Sequence, residues 1–181
     1  MNRREFLQAA SAGLVLTAAG PKGGAEVAAE KQGAKQPGKA TIALVRTADR
    51  AAGIAQVIDL LGINTATGKD VLLKPNFNTA DRYPGSTHND TLEHLIRKLQ
   101  AMGAKSVTVG DRSGPTDTAG VLKEKGIDAL CKRLGAGLVN FEELPADRWM
   151  HFEPEQSHWR KGFDVARPVV ESPCVVATCC L

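Results

Sequence analysis

A chain of 181 residues, 43% hydrophobic and 24% charged, has the length of one ordinary domain and can bury most of the apolar surface its unfolded form exposes. Its formal net charge of +3 arises entirely in the first 39 residues, which hold six Lys/Arg against three Asp/Glu, while residues 40–181 hold seventeen of each. A body with no net charge and no basic run lacks the electrostatic footprint of a phosphate-backbone binder, so nucleic acid is not an expected partner.

The chain opens with Asn2-Arg3-Arg4-Glu5-Phe6-Leu7-Gln8, followed by an apolar run rich in Ala and Gly over residues 9–19. A charged start followed by a short apolar core is the pattern of an export signal. The run falls far below the roughly 18–20 apolar residues that span a bilayer, so no permanent membrane span is expected. The order Arg-Arg-x-Phe-Leu with a weakly hydrophobic core, then Lys22, resembles the twin-arginine consensus. That resemblance implies recognition by the twin-arginine translocation machinery and a periplasmic or otherwise extracytoplasmic location. Ala19, Ala25 and Ala29 each end a small-residue cleavage site, and we assign the signal to residues 1–29. Residues 30–39 read as a flexible tether. The body spans 40–181.

In the body, Thr41-Ile42-Ala43-Leu44-Val45 is an apolar, β-branched run that predicts a buried strand. Ile54, Val57, Ile58 and Leu61 then recur at helical spacing, with Gly62 as the stop. Val71-Leu72-Leu73 predicts a second strand, ended by Lys74-Pro75-Asn76. Asp90-Thr91-Leu92-Glu93 reads as a capping box with Asp90 in the cap position, opening a helix whose apolar face is Leu92, Leu95, Ile96, Leu99 and Met102. Gly103 is its expected end.

Ser106-Val107-Thr108-Val109 predicts a third strand, closing at Gly110-Asp111. Helical sequence follows over residues 117–134, broken at Gly126, and Leu138-Val139-Asn140-Phe141 predicts a fourth strand. The pattern becomes irregular over 145–161, where Trp149, His151, Phe152, His158 and Trp159 crowd together; a packed flap is favoured over an aromatic cage. Two further strands are expected, over 163–170 and 173–181. Alternating strands and helices imply an α/β fold with a parallel or mostly parallel sheet and helices on both faces. Ile42, Leu44, Val71, Leu73, Val107 and Val109 are expected to be buried in adjacent strands. An apolar strand running to the last residue implies either a strand at the surface or an incomplete domain, and the incomplete domain is the expectation. Cys131, Cys174, Cys179 and Cys180 show no C-x-x-C spacing and read as small core residues, so no metal site is assigned.

In an open α/β sheet, ligands bind in the crevice outside the carboxyl ends of the strands. That rule selects Lys74-Pro75-Asn76-Phe77-Asn78 with Gly85-Ser86-Thr87-His88, and Gly110-Asp111-Arg112-Ser113-Gly114. Lys74, Asp111 and His88 are the candidate catalytic groups, and Asn76, Asn78, Thr87, Ser113 and Gly114 the candidate ligand-binding ones. A cation, amides, a carboxylate, an imidazole and hydroxyls suit a small anionic or metal-associated ligand. Each has a plainer reading: Lys74 reaching solvent, Asn76 and Asn78 in Asx turns, Asp111 and His88 as caps, and Ser113-Gly114-Pro115 as a turn. The second loop lacks G-x-G-x-x-G and is no dinucleotide fingerprint.

The Lys-Pro-Asn, Thr-His and Gly-Asp-x-x-Gly elements over these loops resemble, in order and spacing, the opening half of the uncharacterised family numbered three-six-two among the domains of unknown function. The resemblance covers residues 40–181. It implies a chain that continues into a Lys-Thr-His element and a second half, and in some relatives an iron–sulfur module, while leaving reaction and cofactor unassigned. The leading expectation is thus an exported α/β protein, a candidate enzyme, that binds a small ligand at its strand ends. Lys74 would neutralise the ligand's charge, Asn76 orient it, and Asp111 with His88 supply acid–base or metal-binding groups. An iron–sulfur or redox-linked protein and a non-catalytic binding module are the other readings.

Overall fold

In a computed structural model of the chain, which describes residues 42–179, the expected alternation of strands and helices is present. The signal over 1–29 and the tether over 30–39 lie outside the described residues, as do Thr41, Cys180 and Leu181. Helix α1 (Arg50–Leu61) is capped by Asp49, whose side chain accepts the N–H of Ala52, and ends at Gly62 in the left-handed region at φ 63°. Strand β1 (Asp70–Lys74) leads through a long loop to α2 (Asn89–Ala101), then β2 (Ser106–Asp111). The expected break at Gly126, φ 65°, separates α3 (Thr118–Glu124) from α4 (Ile127–Leu134), and β3 (Gly137–Asn140) follows.

These three strands and β6 (Cys174–Ala177) form a four-stranded, all-parallel sheet in the order β3-β2-β1-β6. The register sets Val71 beside Val107 and Cys174, and Leu73 beside Val109 and Val176. Alternation sends Val71, Leu73, Val107 and Val109 to one face, where Leu92, Ile96 and Leu99 of α2 and Ile127, Leu130 and Leu134 of α4 complete the main core. Leu95 is only partly buried at its margin. Leu72 points to the other face and packs with Phe141 and Ala166.

That second face is covered by a hairpin of β4 (Trp149–Phe152) and β5 (Phe163–Ala166), and by the short helix α5 (Arg167–Glu171). The layering follows from chain direction. Crossovers from β1 to β2 to β3 keep one hand and place α2, α3 and α4 on one face; the chain then returns past β1 to β6, and the connection passes over the opposite face. The direction reverses between β1 and β6, which makes that gap the topological switch point of the sheet.

Several expectations are corrected. Residues 42–45 pair with no strand, and Ile42 and Leu44 are 86% and 90% exposed; a β-prone run becomes a strand only where an edge receives its backbone groups. The cap of α2 is His88, whose Nδ1 accepts the Asp90 N–H at 3.1 Å, so Asp90 lies inside the first turn. The strand expected over 163–170 stops at Ala166, because Pro168 pre-sets the first turn of α5. The last strand ends at Ala177, and Cys179 is exposed, while Cys131 and Cys174 are buried as expected. The aromatic cluster is a flap: Trp149 packs toward Leu72, Phe152 and Phe163 stack at 6.0 Å, and Trp159 stays exposed.

Candidate functional site

The carboxyl ends of β1, β2 and β6 meet at one rim of the sheet, and the polar residues selected from sequence gather there. Lys74 closes β1 and Asp111 closes β2. The Lys74 Nζ lies 2.6 Å from Asp111 Oδ1, and Asp111 Oδ2 accepts the Phe77 N–H at 2.8 Å. Asp111 is 2% exposed and Lys74 40% exposed, so a buried carboxylate anchors an ammonium that still reaches water. A buried carboxylate persists when each oxygen has a donor, and here an ammonium and a backbone amide supply them.

Asn76 and Thr87 are tied reciprocally. The Asn76 N–H donates to Thr87 Oγ1 at 2.9 Å, and the Thr87 N–H donates to the Asn76 carbonyl at 2.9 Å. This pins the loop before α2 onto the end of β1. The Thr87 hydroxyl also lies 2.7 Å from the hydroxyl of Thr178, just beyond β6, whose N–H donates to the Lys74 carbonyl at 3.0 Å. Four segments of the chain therefore converge on the switch point.

The second loop is built inward. Ser113 Oγ donates to the Phe77 carbonyl, 2.7 Å, and the Ser113 N–H donates to Thr118 Oγ1, 2.9 Å. Thr118 in turn donates its N–H to Glu142 Oε2, and the Thr118 backbone and hydroxyl hold the Glu142 carboxyl below its ordinary range. Thr116 Oγ1 donates to the Asn78 carbonyl at 3.1 Å. A side chain on Gly114 would approach Asn78 Oδ1 to 3.7 Å, so Asn78 and Gly114 are neighbours across the loops. Beside them, residues Ala80, Asp81, Thr116, Asp117 and Glu124 line an open groove of about 570 Å³. Neither Lys74 nor Asp111 lines it.

The structure thus joins Lys74 to Asp111, Asn76 to Thr87, Ser113 to Phe77, and Asn78 to the vicinity of Gly114. It sets His88 apart: no hydrogen bond or ion pair among the described residues links it to Lys74 or Asp111. Its Nδ1 accepts an N–H, so in the neutral ring the proton sits on Nε2. Ser113 and Thr87 spend their hydroxyls within the protein, which makes them supports for the rim. Sequence reading missed Thr178, Thr118, Glu142 and the Phe77 amide. Of these only Thr178 carried a signal: it follows an apolar run, and the strand-end rule selects it once the strand stops at Ala177.

Among the described residues no group of three or more His, Cys, Asp or Glu gathers to hold a metal ion, and no helix is long and apolar enough to cross a membrane. Residues 71–181 match the model of the family described as a domain of unknown function, DUF362. No curated protein and no solved structure matches the chain.

Proposed function

The chain belongs to the DUF362 family, a family of unknown function, and from this premise we propose that it is an exported protein that binds a small anionic ligand at the carboxyl ends of β1, β2 and β6. The observation that carries this reading is the half-exposed ammonium of Lys74, held by a fully buried Asp111 beside the topological switch point. Open α/β sheets take their ligands at such a point. A cation fixed at the rim of a crevice attracts an anion at little cost in side-chain ordering, because the buried partner has already positioned it.

In this reading the Lys74 ammonium donates to the ligand's oxyanion and the Asn76 side chain orients it. Asp111 holds Lys74 and the turn at Phe77 in place. His88, its Nδ1 held by the Asp90 amide, offers Nε2 at the start of α2 to a ligand that extends toward it.

The test is equilibrium titration of the purified protein with sodium acetate and with inorganic phosphate, comparing the native chain with Lys74→Met, which keeps the aliphatic stem. Binding weakened about tenfold or more, as expected for removal of a charged donor, supports the reading. Equal binding by both proteins overturns it. For export, the paired substitution Arg3→Lys and Arg4→Lys keeps the charge and removes the arginine pair, so precursor should accumulate in the cytoplasm; unchanged export refutes the twin-arginine route.

A further inference from the structure

The hydroxyl pair at the switch point allows a proton count. Thr87 is 4% exposed, and its Oγ1 has two polar neighbours among the described residues: the Asn76 N–H, which can only donate, and Thr178 Oγ1 at 2.7 Å. The two hydroxyls own two protons and share one hydrogen bond. If Thr178 donated to Thr87, the Thr87 proton would be a buried donor with no acceptor, and buried donors are rarely left so. Thr87 therefore donates to Thr178, and among the described residues the Thr178 proton is the one left without an acceptor. Thr178 is half-buried at the rim, with its backbone fixed on the Lys74 carbonyl.

We propose that Thr178 is a ligand-binding residue, the outward hydrogen-bond donor of this crevice, and that the group it receives is a singly charged oxyanion of the carboxylate type. This rests on the anion-binding reading given above. The crevice offers donors: the spare Thr178 O–H, and the Lys74 ammonium, which has three N–H groups and uses one on Asp111 and one on the Pro75 carbonyl at 3.4 Å. Such a set calls for an acceptor. The Asp111 carboxylate already balances the charge of Lys74 at 2.6 Å, so the pair carries no net charge and each negative charge on a ligand adds repulsion from Asp111. A dianion, which phosphate becomes at mildly alkaline pH, is disfavoured relative to a carboxylate.

The proposal is tested on the full chain by NMR titration with acetate and with inorganic phosphate, using the native protein, Thr178→Val, Thr178→Ser and Lys74→Met. Loss of one hydrogen bond to a charged group should weaken acetate binding by Thr178→Val about tenfold. Thr178→Ser, which keeps the hydroxyl, should stay within about twofold, and acetate should bind native protein more tightly than phosphate. If Thr178→Val binds acetate like the native chain while Lys74→Met does not, the anion site stands and the role of Thr178 falls. Equal losses in Val and Ser variants mean that packing, not the hydroxyl, is responsible, and also overturn the assignment. Tighter binding of phosphate overturns the charge assignment. If the native chain binds neither probe, the anion-binding reading fails and takes this inference with it.

Discussion

The ammonium of Lys74 lies 2.6 Å from the carboxylate of Asp111, and this contact joins the carboxyl ends of two neighbouring parallel strands. The pair is asymmetric, since Asp111 is enclosed while Lys74 is not. Removing the ammonium leaves a buried carboxylate with one donor, the Phe77 amide. Lys74→Ala should cost about 1–3 kcal/mol, below the value for a fully buried pair because water can approach where the ammonium was. Chemical denaturation checks this, and a variant as stable as the native chain would show that the contact contributes nothing to folding.

The main core makes a graded prediction on α2. Ile96 is fully buried, so Ile96→Ala should destabilise by about 2–5 kcal/mol. Leu95 is only partly buried, and Leu95→Ala should cost about 1–2 kcal/mol because part of its surface already meets water. Equal losses at the two positions would mean that the helix is rotated relative to the sheet.

Gly110 sits in β2 where a methyl group would come within 2.6 Å of the Phe141 ring and 3.1 Å of Leu72. Phe141 is buried and cannot swing clear. Gly110→Ala should therefore cost about 1–3 kcal/mol by overpacking the second face. The companion Gly110→Ala with Phe141→Leu, which clears the ring, should recover part of that loss in a thermal melt.

Two carboxylate contacts give opposite dependences on pH. His151 on β4 places Nδ1 2.8 Å from Asp164 and Nε2 3.2 Å from Glu153, and these carboxylates raise its pKa above the ordinary 6.5. A raised pKa contributes stability that is fully present below the unfolded value and is lost as pH rises through the folded one. Glu93, held by Arg133 of α4 and Arg97 of α2, is lowered to about 2. Its contribution is present above its ordinary value of 4.5 and is lost as pH falls toward 2. Melting curves of His151→Gln against the native chain should differ most on the acid side of neutrality and converge as pH rises. A difference that grows with pH contradicts the sign.

Much of the fold was legible because local pattern and long-range pairing agreed. The runs at Val71 and Val107, the helical stripe through Leu92 and Ile96, and the glycine break at 126 each match the element observed. The run at Ile42 has the same composition as a buried strand, yet nothing local encodes a neighbour for it, and no strand pairs with it. Pro168 carried a helix-start signal that the β-branched run at Val169 and Val170 masked. At the site, the strand-end rule selected Lys74, Asn76 and Asp111 directly. Thr178 escapes the rule because the apolar run continues past it to Leu181, and nothing local in the sequence shows that the His88 Nδ1 is committed to the Asp90 amide.

Chemical-shift mapping of acetate on the isotopically labelled chain tests anion binding at the strand ends. Concentration-dependent shifts are expected at the amides of Lys74, Asn76, Phe77, Thr87, Asp111 and Thr178, the residues that converge on the ends of β1, β2 and β6. Shifts confined to the neighbouring groove at Asp81, Thr116 and Asp117, or no saturable shift at any residue, would contradict binding at the strand ends.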